Sequence, residues 1–433
     1  MNKNIKLKLD QGSLTVGIIG LGYVGLPLAL NFSKVSSSVI GFEANHKYIS
    51  MINSGKSYIS HISHQDIKTA IKSGLQATND YKKIAECDFI VLCLPTPLNN
   101  HREPDLSFVI SAMNEILPYI RRGQAISLES TTYPGTTDEI IAPMIETRKF
   151  VIGEDIHLIY SPEREDPGNK DFSLQSIPKV VGGMTKNCLK AGLDLYSKIV
   201  NSVIPVSSTR VAEMTKLLEN IHRSVNIGLV NEMKIISDSM GIDINEVISA
   251  ASTKPFGFVP YRPGPGLGGH CIPIDPFYLS WKAKEYGLNT RFIELAGEIN
   301  LNMPNWVINK TIEALNNKKI SVSNSKILIL GVAYKKNVSD IRESPSIRII
   351  EKLISLNANI SYSDEYVEQI TELAGLNKPL KSKVISPKLL QSCDCILLTT
   401  DHDNFDYELI QRHSKMIIDT RGKFKKSKKI VQA

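Results

Sequence analysis

Short apolar runs, spaced by stretches of helical period, set the organisation of this chain. Thr15-Val16-Gly17-Ile18-Ile19 predicts a strand buried on both faces, and an apolar helical stretch follows over 26–34. The rhythm repeats through 38–43, 87–94, 124–128 and 157–160, each an apolar run closed by polar or turn-forming residues. Strands alternating with helices in this way predict a parallel, doubly wound sheet. From 208 to 240 there is no proline and only Gly228 among the glycines, apolar residues recur at helical spacing, and Gly241 supplies a stop. At 1.5 Å per residue such a helix would be about 50 Å long. That length suits a spine between two domains and a contact between two copies of the chain. The helical pattern returns over 277–302, with a further helix expected over 303–317. A second α/β rhythm begins at Lys326-Ile327-Leu328-Ile329-Leu330 and continues through 360–364, 393–400 and 416–419. The expected fold class is α/β, with two doubly wound domains joined by a helical middle domain. The expected divisions are a tail over 1–13, a first domain over 14–206, the helical domain over 207–304 and a last domain over 305–433.

Bulk properties narrow the class of function. The chain has 433 residues, 42% of them hydrophobic and 22% charged, as in an ordinary globular protein with room for several cores. A net charge of +7 suits a small anionic substrate and falls short of the concentrated basic face of a nucleic-acid binder. The locally basic stretch 421–429 reads as a solvated, frayed end. Residues 1–12 are polar and lysine-rich, unlike a signal peptide, and the apolar run over 16–30 is too short and glycine-broken to span a bilayer. Six cysteines without disulfide or zinc spacing indicate a reduced, cytoplasmic, metal-free protein.

The chemistry-bearing residues lie at the ends of the predicted strands. Gly20-Leu21-Gly22-Tyr23-Val24-Gly25 is a G-x-G-x-x-G between a strand and a helix. Gly20 and Gly22 allow a tight turn and close approach of a pyrophosphate, and Gly25 lets the helix pack on the strand. Glu43 ends the second strand, 18 residues past Gly25, where an acid takes ribose hydroxyls and disfavours a 2′-phosphate. The first domain is thus expected to be Rossmann-like and to bind NAD. Pro95-Thr96-Pro97 and Glu129-Ser130-Thr131-Thr132-Tyr133-Pro134-Gly135 follow the next strands, at the edge where such sheets bind ligands. Ser161-Pro162-Glu163-Arg164-Glu165-Asp166 reads either as a surface turn or as polar groups aimed at a substrate. Lys216 and Asn220, four apart, share a face of the long helix, either solvated or facing a ligand. A loop of four glycines and four prolines, residues 263–276, carries one thiol, Cys271, and one carboxylate, Asp275. Lys335, Asp340, Arg342 and Arg421 sit at or after strand ends in the last domain, as anion binders would. That half lacks G-x-G-x-x-G and should hold something other than a dinucleotide.

Over 14–422 the chain resembles the nucleotide-sugar 6-dehydrogenases, the UDP-glucose/GDP-mannose dehydrogenase family. The resemblance rests on the glycine loop, Pro95-Thr96-Pro97, Glu213-Met214-Thr215-Lys216-Leu217-Leu218-Glu219-Asn220, Gly268-Gly269-His270-Cys271, Gly331-Val332-Ala333-Tyr334-Lys335 and Asp340-Ile341-Arg342-Glu343-Ser344-Pro345. Residues 263–278 and 163–169 are most similar to those of UDP-N-acetylglucosamine 6-dehydrogenases of surface-polysaccharide pathways. The resemblance implies a four-electron oxidation: UDP-sugar, water and two NAD⁺ give the UDP-uronic acid and two NADH. It implies Cys271 as nucleophile, because an alcohol carried through to an acid needs a thiohemiacetal and then a thioester. Lys216 and Asn220 are implied to stabilise the charged oxygen, Asp275 to orient or deprotonate water, and Glu165 to join the catalytic set. Implied cofactor contacts are Gly20, Gly22, Tyr23, Val24, Gly25, Glu43, Thr96, Thr132 and Arg342. Implied substrate contacts are Glu163, Arg164, Lys216, Asn220, Tyr261, Arg262, Gly264, Gly268 and Lys335. The expected partners are a UDP-sugar and a second copy of the chain, as a homodimer or higher even oligomer, with neither nucleic acid nor membrane insertion.

Three positions depart from the family pattern. Glu43 stands where aspartate is commoner, Ile274 where UDP-glucose oxidisers usually carry lysine, and the loop over 161–168 is shorter than usual. Other readings stay open at this point: the same reaction on UDP-N-acetylgalactosamine, UDP-N-acetylmannosamine or UDP-glucose, a β-hydroxyacid dehydrogenase, or a non-catalytic sensor.

Overall fold

The computed structural model describes residues 8, 10–36, 38–59, 62–99, 101–165, 174–269, 272–376, 378–425 and 427–433. His270, Cys271 and the end of the carboxylate loop from Asp166 therefore lie outside the described residues. The chain divides into two compact units, the first of residues 1–219 and 277–288, the second of residues 220–276 and 289–433.

The first unit is built on eight strands: β1 (Thr15–Ile19), β2 (Ser38–Phe42), β3 (Leu75–Thr78), β4 (Phe89–Leu92), β5 (Ala125–Leu128), β6 (His157–Tyr160), β7 (Lys179–Gly183) and β8 (Val203–Pro205). They lie in the order β3-β2-β1-β4-β5-β6-β7-β8. Every pairing is parallel except β6 with β7. Alternate residues of one strand feed different cores: Val16 and Ile18 of β1 join one apolar cluster, and Ile19 joins the other. That two-sided burial is why these strands read as unbroken apolar runs. The strand order reverses direction between β1 and β4, the point at which such sheets take ligands. Helix α1 (Gly25–Phe32) follows β1 directly.

Helix α2 (Thr209–Ser239) has 31 residues, close to the expected stretch. Two shorter expectations change. The helix expected over 277–302 is instead α3 (Asp275–Glu285), ended near Gly287 at φ +69°, and the next helix, α4 (Arg291–Asn317), runs on through Pro304. The break expected between 302 and 303 is absent: Met303, Pro304, Val307 and Ile308 are all buried, and packing holds the turn despite the proline.

The second unit carries a five-stranded, wholly parallel sheet: β9 (Lys326–Leu330), β10 (Asn359–Ser363), β13 (Cys395–Leu398), β14 (Ile417–Asp419) and β15 (Ile430–Gln432), in the order β10-β9-β13-β14-β15. A small antiparallel pair, β11 (Gln369–Ile370) and β12 (Leu380–Lys381), lies beside it, with Ser382 bridged to Tyr362 of β10. Ile327 and Ile329 feed one core and Leu328 and Leu330 another. Helix α5 (Pro345–Ser355) packs on this sheet, with Ser344 capping its first turn. The expectation of a frayed basic end is corrected here. Phe424 is buried, Ile430–Gln432 pairs with β14, and the Ala433 carbonyl accepts a hydrogen bond from the buried Lys234 ammonium. The apolar residues Phe424, Ile430 and Val431, interleaved with the lysines, supply the packing that the charge count concealed.

Candidate active site

In the first unit the glycine loop leaves β1 and turns into α1. Gly20 has φ +88°, and a Cβ there would lie 2.5 Å from the Cys93 carbonyl oxygen. A Cβ on Gly25 would fall 1.8 Å from the Gly20 carbonyl, so helix and loop touch backbone to backbone. Gly22 is different: nothing lies within 4 Å of a Cβ built on it. Tyr23 and Val24 complete the loop and pack partly against the core. Glu43, directly after β2, accepts hydrogen bonds from Leu21 N (3.2 Å) and Asn45 N (3.0 Å), and the Tyr58 hydroxyl donates to the Leu21 carbonyl. Acid and glycine loop thus meet at one sheet edge.

The loops after β4 and β5 reach the same edge. Thr96 is buried, and its carbonyl accepts from the Tyr278 hydroxyl at 3.0 Å. Thr132 is fully buried, yet its hydroxyl oxygen has no hydrogen-bond partner among the described residues. An unpartnered buried hydroxyl is costly, and a ligand atom at this edge would satisfy it. Beside it, Gly135 (φ +106°) opens a helical turn whose amides are capped by buried Glu213 of α2. Gly135 N (2.6 Å), Thr137 N (2.9 Å) and the Thr137 hydroxyl (2.7 Å) all donate to that carboxylate. Burial raises the Glu213 carboxyl to about 7 against the pull of these donors.

The carboxylate loop after β6 is tied down on several sides. Ser161 donates to the Val180 carbonyl (2.9 Å), and Glu163 Oε1 accepts from Arg164 N and Glu165 N, each at 2.6 Å. The Arg164 guanidinium pairs with Glu219 at 2.6 Å and donates to the Pro178 carbonyl at 2.7 Å. Burial, and then the Glu163 charge, raise the Glu165 carboxyl to about 7. Lys216 is buried on α2, and its ammonium donates to the Glu163 main-chain carbonyl at 2.5 Å. The solvated reading of Lys216 is therefore corrected: helical spacing shows only which residues share a face, and this face is covered.

In the second unit Asn220 and Asp275 come together. Both are buried, and the Asn220 amide nitrogen donates to Asp275 Oδ2. The glycine–proline loop is fitted to its surroundings at several points. Gly264 N donates to Asn231 Oδ1 at 3.0 Å, and a Cβ on Gly264 would lie 2.8 Å from the Arg421 guanidinium. Gly266 (φ +133°) faces the Asn300 carbonyl, the oxygen that Pro304 leaves without its helical donor. Gly268 presses on Tyr334 Cβ and the Glu343 carbonyl, and Gly269 N donates to the Arg342 carbonyl at 3.1 Å. Tyr261 contacts His222 Nδ1 through its hydroxyl (3.1 Å), and Arg262 donates to Ser249 Oγ (3.2 Å). Lys335 is half-buried in the loop after β9. Arg342 forms a forked pair with Asp340, the shortest contact being 2.6 Å. Cys271 lies outside the described residues, between Gly269 and Asp275.

Three family models cover nearly the whole length. They are the NAD binding domain over residues 14–200, the central domain over 210–302 and the UDP binding domain over 328–426 of the UDP-glucose/GDP-mannose dehydrogenase family. This chain belongs to that family. It is 36% identical over 355 residues to a UDP-N-acetyl-D-glucosamine 6-dehydrogenase of Salmonella typhi, with 82% of each chain covered. It is 34% identical over 402 residues to a UDP-N-acetyl-D-mannosamine dehydrogenase of Methanococcus maripaludis, covering 92% of this chain and 88% of that one. A UDP-D-ManNAc dehydrogenase structure from Pyrococcus horikoshii superposes with a TM-score of 0.86 at 29% identity, covering 96% and 97% of the two chains.

The family's cofactor is NAD, and this chain's residues fit it. The open space over Gly22 admits a pyrophosphate, Glu43 stands at the end of β2 where ribose hydroxyls would reach it, and the Thr132 hydroxyl awaits a partner. Glu129, Lys179, Tyr196 and the capping role of Glu213 were not legible as site features. Their partners lie 50 to 78 residues away in sequence, and no local pattern marks them.

Proposed function

We propose that the chain oxidises the C6 hydroxyl of UDP-N-acetylglucosamine to the carboxylate in the cytoplasm, as a homodimer or higher even oligomer. The observation that carries the reading is the buried Asn220–Asp275 pair at the end of the loop that bears Cys271. NAD⁺ held at the glycine loop and Glu43 would supply the hydride acceptor for both oxidations at C6. Lys216, an ammonium held by a carbonyl, stabilises the alkoxide that O6 becomes as it loses its proton. Glu165, with a carboxyl near 7, is the acceptor for that proton. The Cys271 thiolate then adds to the aldehyde carbon, and the oxygen is protonated to a thiohemiacetal. After the second oxidation C6 is a thioester. Asp275 orients water onto it, the Asn220 amide donates to the oxyanion, and the C–S bond breaks to return the thiolate and the acid. The finished balance is UDP-sugar, water and two NAD⁺ to UDP-uronate, two NADH and protons.

The choice of sugar rests on the Salmonella relative and on Ile274 in place of lysine. The Methanococcus relative favours UDP-N-acetylmannosamine as a second reading. NADH formed per sugar consumed, measured with each UDP-N-acetylhexosamine and with UDP-glucose, tests both. About two per UDP-N-acetylglucosamine, and none with the others, is the expected result. A ratio near one would remove Cys271 from the mechanism, and turnover only of the mannosamine sugar would select the second reading.

A further inference from the structure

Strand β7 runs against β6, so its first residue emerges at the edge where β6 ends. That residue is Lys179, a lysine only 5% exposed. Its ammonium lies 2.8 Å from Glu129, in the loop after β5, and 3.7 Å from Glu163, in the loop after β6. The Tyr196 hydroxyl donates to the other Glu129 oxygen at 2.6 Å, and its ring lies under the ammonium at 5.0 Å. Glu163 in turn offers its carbonyl to Lys216 and its carboxylate to the amides of Arg164 and Glu165.

We propose that Lys179 is a positioning residue for the oxidation. Its buried ammonium, gripped by Glu129 and Glu163, fixes the carbonyl that receives Lys216 and sets the charge around Glu165. The proposal rests on the roles given above to Lys216 and Glu165. Three facts make it more than a packing contact. First, the Lys179 ammonium is the cation paired with the carboxylates of Glu129 and Glu163, so removing it leaves uncompensated charge inside the unit. Second, burial works against the Lys179 ammonium, yet the two carboxylates outweigh it and hold the group above its ordinary value. Third, Lys179 pulls the Glu165 carboxyl down, while burial, Glu163 and Glu129 push it up and the Leu174 amide opposes them. Among the described residues, Glu163, Lys179 and Glu129 are the charged groups that act on Glu165. Its carboxyl near 7 is therefore a balance that Lys179 controls from a distance.

The test uses the full chain with Lys179→Met, Lys179→Arg and the neutralised double variant Lys179→Met/Glu129→Gln. The double variant leaves no unpaired lysine or Glu129 charge and keeps a folded form in reach if the single change does not fold. In Lys179→Met, kcat falls about tenfold or more at neutral pH with KM for NAD⁺ little changed, and the acid limb of the rate profile moves up by roughly a unit. Lys179→Arg brings the limb back. A readout independent of turnover is carbon-13 NMR of glutamate labelled at the carboxyl, with the Glu165 signal identified by its loss in Glu165→Gln. That signal titrates near 7 in the wild type, higher in Lys179→Met, less raised in the double variant because the upward push of Glu129 goes with it, and near the wild-type value in Lys179→Arg. Unchanged titration and an unchanged acid limb in folded Lys179→Met, or, should that not fold, a double variant whose Glu165 signal does not rise above the value in Glu129→Gln alone, would overturn the proposal and leave Lys179 a stability residue. A wild type inactive on every UDP-sugar would instead overturn the proposed reaction, and the NMR titration would still decide the electrostatic role.

Discussion

Replacing Glu213 by glutamine tests the argument that burial governs the charges at the edge of the first sheet. Glu213 is fully buried, and its carboxyl is raised from an ordinary 4.5 to about 7. The group binds its proton more tightly in the folded state. Its contribution is therefore intact below pH 4.5 and is lost as pH rises through 7. At 1.36 kcal/mol per unit, the full loss is about 3 kcal/mol, and about 2 kcal/mol of it falls between pH 5.5 and 8. Glutamine cannot ionise, so that part of the slope should vanish. It also turns an NH₂ toward Gly135 N, which now donates to Glu213 at 2.6 Å, at a cost of about 1–3 kcal/mol at any pH. The variant should be the weaker protein at pH 5.5, with the gap closing or reversing by pH 8. Trp281 reports locally, because its ring lies 5.1 Å from Tyr133 in the loop that Glu213 caps. Urea unfolding is followed by Trp281 fluorescence in a Trp306→Phe background, with and without Glu213→Gln, at both pH values. Equal pH slopes in the two proteins would refute the reasoning.

Two further outcomes follow from the packing. Gly25→Ala, whose methyl would meet the Gly20 carbonyl, should destabilise the chain by about 1–3 kcal/mol or more, whereas Gly22→Ala should keep its melting temperature and lose on the order of tenfold in NAD affinity; calorimetry and a binding titration separate the two, and equal effects would contradict the assignment of the loop. Leu229, Met233 and Ile236 on α2, with Met240 just past its end, form an exposed stripe spaced four, three and four apart, a seam suited to another helix. Leu229→Glu should shift the assembly toward the 48.1 kDa chain in light scattering, and a wild type already of that mass would dismiss the oligomer.

What the sequence made legible follows from the range of the forces involved. Strands β1, β4, β5, β9 and β13 were readable because two-sided burial turns them into apolar runs. Strand β7 was not, because Gly182 and Gly183 look like a turn. They are there for space: a Cβ on Gly182 would lie 2.3 Å from the Ser208 carbonyl, and one on Gly183 would lie 2.2 Å from Leu189 N. With β7 went Lys179, and with Lys179 the charge network behind Glu163. The helix boundary expected after 302 failed for the opposite reason, because burial around Pro304 carries one helix across it. Single positions with a local signature, such as Gly20, Gly25 and Glu43, lie where the pattern put them. Lys216 and Asn220 were visible only as helix neighbours, and the groups each one holds had to come from the fold.

The two sheets also explain why one half takes a dinucleotide and the other does not. The order β10-β9-β13-β14 repeats β2-β1-β4-β5, and each half places an acid directly after the strand beside its first: Glu43 after β2, Asp364 after β10. Glu43 is half-buried and accepts one amide from the glycine loop, a bond that a ribose hydroxyl can replace. Asp364 is buried and far more committed. One oxygen accepts from Val332 N (2.7 Å) and Ala333 N (3.3 Å), the other from Tyr366 N and Val367 N, and His402 Nε2 stands 3.0 Å away. The amides after β9 that could have cradled a phosphate are thus occupied by the protein's own carboxylate. A second phosphate there would meet that charge in a buried site, where repulsion is strong and screening weak. The C-terminal half, which matches the family's UDP binding domain, must therefore take a nucleotide elsewhere than at these amides.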